Sequence, residues 1–197
     1  MKSKRRRRST LNFGRTRKKF NANKFKYVMT WVLQIGGVIL AAYLSVACFG
    51  TRTTVVGQAM SDTLENGDQV FMNKFSYLIS DPKADDVIIF LPNGNEKSHY
   101  YVRRVIGVPG DRVQIKDGAV YVNGELYDEK IEVAAMEETG IARDEIVLGT
   151  DEYFVLGDNR NSSEDSRYAN IGNVKKEYII GKAWFYLGGE RGSGFVH

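Results

Sequence analysis

The sequence predicts a mainly β globular domain carried on a single N-terminal transmembrane helix. Three observations predict it: an uncharged run from Tyr27 to Gly50, a purely basic stretch ahead of it, and a remainder whose apolar residues fall in strand-length runs. At 197 residues, 43% hydrophobic and 26% charged, the chain suits one globular domain plus an extra segment.

Charge is divided along the chain. Residues 1–50 hold 12 Lys and Arg with no Asp or Glu, leaving 16 basic against 24 acidic residues beyond, so the net +4 hides a basic tail on an acidic domain. A uniformly basic chain suggests nucleic acid, whereas a basic block abutting an apolar run suggests the anionic lipid of an inner leaflet. Lipid is therefore the expected partner of the tail, and nucleic acid is not. As a helix, residues 27–50 extend roughly 36 Å, enough for a hydrocarbon core about 30 Å thick. Such helices tolerate Thr30, Gln34, Gly36, Gly37 and Ser45, and Tyr27, Trp31 and Tyr43 include interface anchors. With Lys2, Lys4, Arg5 to Arg8, Arg15, Arg17 to Lys19, Lys24 and Lys26 held inside, residues 1–26 form a cytoplasmic tail and residues 51–197 an extracytoplasmic domain.

Two other readings of the run stay open. A cleaved secretory signal has a shorter apolar region, roughly 7–15 residues. A lipoprotein signal ending at Cys48 wants a large apolar residue where Ser45 stands. Cys48 is the sole cysteine, so the domain must be stable without disulfides.

Within 51–197 the strand-like runs are Gln69–Met72, Val87–Phe90, Tyr100–Val108, Val113–Ile115, Val120–Val122 and Tyr153–Leu156, rich in β-branched and aromatic residues and bounded by turn formers. Asp117-Gly118 between two of these runs is a hairpin signal, because those residue types accept the positive φ of a tight turn. Asn123-Gly124 closes the next run similarly. Residues 125–152 break the pattern and read as an insertion on the β core, with a short helix expected over Asp128–Glu138.

Four stretches, taken in order, carry a resemblance. They are Gly57-Gln58-Ala59-Met60-Ser61-Asp62-Thr63-Leu64, then Asp86 to Phe90 ahead of Pro92, then Tyr101-Val102-Arg103-Arg104-Val105-Ile106-Gly107-Val108-Pro109-Gly110-Asp111, and Gly157-Asp158-Asn159-Arg160 with Ser163, Asp165, Ser166 and Arg167. This series resembles the bacterial type I signal peptidases (family S26), membrane proteases that cut signal peptides from exported proteins. The resemblance implies a coiled β-sheet or barrel domain of the signal-peptidase type on one membrane anchor.

In that family, by resemblance, a serine of the first stretch attacks the scissile carbonyl and a lysine of the third takes its proton. Ala59 and Arg103 occupy those positions, and Asp62 replaces a proline. A methyl group offers no nucleophile. A guanidinium stays protonated where a buried lysine can become a neutral base. The resemblance further implies that Gly57, Gln58 and Met60 outline a peptide groove and oxyanion region, that Ser163 orients the base, and that Asp165 pairs with Arg167 behind it. Asp158 belongs to the same supporting turn, which also reads as a plain scaffold of side chains capping backbone amides. Arg103 is expected to partner Asp165 or Ser163, since an unpaired buried guanidinium is costly. Ser61 shares a face with residue 59 if the segment is extended, about 6–7 Å along the strand, too far for an unshifted oxyanion pocket. His99 is expected to be a polar residue at a strand start.

One cysteine and two separated histidines offer no metal cluster, and no phosphate-binding glycine loop occurs, so neither metal nor cofactor is expected. Dyad-less relatives assist surface-pilus assembly beside sortases. The resemblance therefore implies a non-catalytic binder of exported proteins, with pilin subunits and a sortase among its partners in a bacterial cell membrane. The alternatives are an active signal peptidase and a membrane partner that docks one.

Overall fold

The computed structural model describes residues 22–189 and 192–196; the basic tail through Asn21, and His197, lie outside them. The chain divides into two compact units between Ala41 and Ala42.

The uncharged run forms helix α1 (Ala22–Phe49). It starts five residues ahead of the expected boundary, because Asn23, Lys24 and Lys26 are compatible with a helix although they are not apolar. Gly50 donates its N–H to Val46 O at 2.8 Å and ends it. Within the helix the Thr30 hydroxyl donates to Lys26 O at 2.9 Å, which satisfies it without water. Residues Asn23–Ala47 are long and apolar enough to cross a membrane, and none is buried against other parts of the protein.

The second unit is mainly β. Its strands are β1 (Arg52–Thr54), β2 (Gln69–Asn73), β3 (Val87–Phe90), β4 (Tyr101–Gly107), β5 (Arg112–Lys116), β6 (Ala119–Val122), β7 (Glu125–Leu126), β8 (Ile146–Val147), β9 (Glu152–Leu156), β10 (Val174–Lys175), β11 (Ile179–Leu187) and β12 (Ser193–Phe195), with a one-turn helix α2 (Ser76–Ile79) after β2. The larger sheet runs β1-β2-β11-β3-β4-β9-β10, with β12 also paired to β11; the smaller runs β7-β6-β5-β8. Every pairing is antiparallel. Register breaks at Val105/Gly107, Ile179/Gly181 and Ala183/Phe185 curl the larger sheet.

The central strands are covered on both faces, so alternate residues feed different cores. Val87 and Ile89 of β3 enter one apolar cluster, with Val102, Met60 and Leu64. Ile88 and Phe90 enter another, with Val105, Tyr153 and Val155. Phe154 and Leu156 of β9 point into a third, with Ile106, Val113 and Ile115. This two-residue alternation explains why β3 is a continuous apolar run and not an alternating one.

Asp117 and Gly118 take φ of 51° and 77°, and Asn123 and Gly124 take 54° and 84°, so both predicted turns form. The helix expected over Asp128–Glu138 does not. That segment is irregular because tertiary contacts hold it extended: Glu129 pairs with Arg160, the Met136 N–H donates to Gly118 O at 2.9 Å, and the Met136 side chain is buried. Residues 125–152 contribute β7, β8 and the buried Met136, Ala142 and Leu148 to the smaller sheet and its core. The longest strand, β11, was not among the predicted runs, since Gly181 and Lys182 interrupt its apolar pattern. Lys182 is accommodated by pairing with Asp86 at 2.5 Å.

Leu156→Ala opens a cavity in the third cluster and is expected to cost about 2–5 kcal/mol. Leu126→Ala, at a position 64% exposed, is expected to be close to neutral. Urea unfolding of the full chain in detergent, followed by tryptophan fluorescence, checks both.

Candidate functional site

The first and third of the quoted stretches meet at one cleft of about 270 Å³, to which the fourth contributes not its quoted residues Asp158, Ser163, Asp165 and Arg167 but the intervening Ser162 and Glu164. Val55 to Met60 form one wall, His99 to Arg103 another, and Ser162 with Glu164 close it. Gly57, Gln58, Ala59, Met60 and Arg103 therefore share one site.

The segment around Ala59 is a series of turns. Ser61 N–H donates to Gln58 O at 3.1 Å, Thr63 N–H to Met60 O at 2.8 Å, and Leu64 N–H to Met60 O at 2.5 Å. The segment is thus not extended, which removes the geometry assumed for Ser61; its hydroxyl accepts from Asn159 Nδ2 at 2.9 Å. Ala59 is 7% exposed and Met60 1%, the latter anchored in the apolar cluster beneath the cleft. The Gly57 N–H donates to Asn66 Oδ1 at 2.9 Å, so this amide of the expected oxyanion region is already engaged. The Ala59 carbonyl accepts the Asn159 N–H at 3.1 Å. Gly157 is packed so tightly here that a Cβ would lie 2.3 Å from the Ser163 side chain and 2.6 Å from Ala59 O, which only glycine permits.

Arg103 departs from expectation. Its partners are main-chain carbonyls and not Asp165 or Ser163: Nε and Nη2 donate to Glu164 O at 2.9 and 2.6 Å, and Nη1 donates to Val102 O at 2.7 Å. The guanidinium carbon also sits 5.0 Å from the centre of the Tyr101 ring. Asp165 is unavailable because it is saturated. Its carboxylate accepts from Arg167 Nε at 2.9 Å and Nη2 at 2.8 Å, from Gly157 N–H at 3.1 Å, and from the Ser163 hydroxyl. Burial pushes the Arg103 pKa below the ordinary guanidinium value, opposed by Asp165, Tyr101, Glu164 and Asp158. Burial also pushes the Tyr101 hydroxyl up, aided by its hydrogen bond to Glu164 at 2.9 Å.

Asp158 joins the three walls. It holds Arg104 of β4 through two bonds of 2.8 and 2.7 Å, and it accepts from Thr63 Oγ1 at 2.5 Å. Burial alone lowers the Arg104 pKa, but Asp158 outweighs it and the net shift is upward. Arg160 completes the set with a two-pronged pair to Glu129 at 2.6 and 2.8 Å. His99 is exposed at the cleft mouth, before β4. Among the described residues no group of His, Cys, Asp and Glu is arranged to hold a metal.

Fold and site together define a mainly β domain with a cleft, preceded by one apolar helix that fits a membrane anchor, and the chain belongs to the signal peptidase, peptidase S26, family, whose profile matches residues 28–187. A probable signal peptidase I-2 from Synechocystis sp. is 34% identical over 166 residues, covering 79% of this chain and 72% of that protein. Signal peptidase I P of Bacillus subtilis subsp. natto is 33% identical over 161 residues, covering 78% and 85%. A solved signal peptidase I from Enterococcus faecalis is 29% identical, with a TM-score of 0.40 over 52% of this chain and 97% of that one.

Reasoning from sequence missed Glu164, Asn66 and Glu129. Glu164 contributes a main-chain carbonyl, which no side-chain pattern signals, and Glu129 reaches Arg160 from a segment read as helical. Asp158→Ala strands the Arg104 guanidinium without its carboxylate and is expected to cost about 3–5 kcal/mol. Lys130→Ala, which removes a solvent-exposed pair with Asp128, should leave the unfolding midpoint unchanged. Urea titration of both variants reads the difference.

Proposed function

We propose that this chain is a signal-peptidase-family membrane protein that holds an extended segment of an exported protein in the Ala59–Arg103 cleft without cleaving it. One observation carries the reading: the two cleft side chains at the dyad positions of the family motif are a methyl and a guanidinium. The methyl forms no acyl-enzyme, and the guanidinium, engaged by two carbonyls, accepts no proton. The loss of the Gly57 amide to Asn66 also supports a cleft no longer set for an oxyanion. Binding does not need these groups, since main-chain pairing and apolar contact suffice to hold an extended peptide. The basic tail supports an orientation with the N-terminus in the cytoplasm and the β domain outside, where exported proteins emerge. By resemblance, the finer role is that of an accessory to surface-pilus assembly, with pilin subunits and a sortase as partners.

The second reading is an active signal peptidase, which the names of its relatives favour. It requires a nucleophile other than residue 59. The Ser61 hydroxyl is bonded to Asn159, while Ser162 and His99 border the cleft.

A cleavage assay of the full chain in detergent on a preprotein separates the two. The natural chain is expected to show no cleavage. Ala59→Ser alone is also expected to show none, because Arg103 cannot take the serine proton; Ala59→Ser with Arg103→Lys tests the pair. Turnover by the natural chain overturns the proposal.

A further inference from the structure

Among the described residues, four arginines are buried: Arg103, Arg104, Arg160 and Arg167. Three of them face a carboxylate within 2.8 Å, respectively Asp158, Glu129 and Asp165 for the last three. Arg103 has no carboxylate at ion-pair distance among the described residues, although it alone of the four lines the cleft. A guanidinium carries five N–H donors, and Arg103 uses three of them, leaving one N–H on each terminal nitrogen. The carboxylates that act on it electrostatically are directed elsewhere: Asp165 to Arg167, Asp158 to Arg104, and Glu164 to Tyr101 Oη and Asn170 Nδ2 at 2.9 and 2.6 Å. A buried cation lacking its anion is costly unless the anion arrives with a ligand.

We propose that Arg103 makes the cleft a carboxylate-binding site, and that its occupant is the free C-terminal carboxylate of a peptide ending in an aliphatic residue. The two remaining N–H groups suit the two oxygens of a carboxylate. Val55, Met60 and Val102, which line the same cleft, supply its apolar wall for the terminal side chain. An Asp or Glu side chain offers the same carboxylate, but it brings main chain on both sides into a cleft of about 270 Å³ and no aliphatic group at the apolar wall. A substrate awaiting cleavage presents an uncharged amide at this point. The occupant is therefore a chain end and not a bond to be cut. The inference rests on the reading of the cleft as a peptide-holding groove.

Fluorescence anisotropy of the full chain in detergent, with N-terminally labelled peptides, tests it. Three probes share one sequence ending in valine: the free acid, its C-terminal amide, and the amide with an internal glutamate. The free acid is expected to bind about tenfold more tightly than either amide, the scale of one charge-assisted contact. Arg103→Gln is expected to bring the acid down to the amide. Glu164→Gln, which leaves the carbonyl that holds Arg103 in place, is expected to strengthen acid binding. Because the acid-to-amide comparison is made on the natural chain, it does not depend on a variant folding. Equal binding of acid and amide overturns the inference and leaves the groove reading intact. Acid-like binding of the internal-glutamate probe overturns the assignment to a chain end. Binding of none of the three ends both readings.

Discussion

The arrangement of this domain depends on the buried pair between Asp158 and Arg104. Asp158 stands in the turn after β9, Arg104 lies in the middle of β4, and Thr63, which also donates to Asp158, closes the Met60–Thr63 turn that follows Ala59. One carboxylate therefore ties together three segments distant in sequence. Any register of β4 against β9 that separates the pair leaves a charge in an apolar interior, so the pair selects the register Arg104↔Leu156. That choice decides the cleft, because successive side chains of a strand point to opposite faces. With Arg104 committed to Asp158, Arg103 is turned to the other side, toward Glu164 and the groove.

The turn from Gly157 to Arg167 repeats this device. Asp165 collects Arg167, the Ser163 hydroxyl and the Gly157 amide, while Arg160 and Arg167 reach outward to Glu129 and to Glu138 O. These bonds tether the irregular segment 127–139, which has no regular secondary structure of its own. Ion pairs of this kind add little net stability relative to apolar packing. Their effect is on geometry: the loop that presents Ser162 and Glu164 to the cleft has few alternative conformations without unpaired charge.

The apolar strands and their turns were legible from residues alone. β3 is four apolar residues in succession, and Asp117-Gly118 and Asn123-Gly124 are residue pairs whose backbone preferences are local. β11 was not legible, because Gly181 and Lys182 belong there only through neighbours: Gly181 packs against the Asn73 main chain, and Lys182 against Asp86. Residues 128–138 failed in the opposite direction. Their Glu, Lys and Ala content favours a helix in isolation, but the Glu129–Arg160 pair and the Met136 contacts outweigh a preference worth only tenths of a kcal/mol per residue. Arg103 was assigned to a charged partner on general grounds and found a main-chain carbonyl instead.

What the sequence by itself determined is the chemistry at each position and the local backbone habit: a membrane-length apolar helix, β-forming runs, and a methyl and a guanidinium where a nucleophile and a base are otherwise placed. Side-chain identity and turn preference are properties of residues and their immediate neighbours. The tertiary structure alone decided which groups remain open to a ligand. It spent the Gly57 amide on Asn66, directed Asp165 to Arg167, and left Arg103, among the described residues, as the buried arginine without a carboxylate. Each of those outcomes is a competition among partners many residues apart, and such competitions are settled by where the folded chain places them.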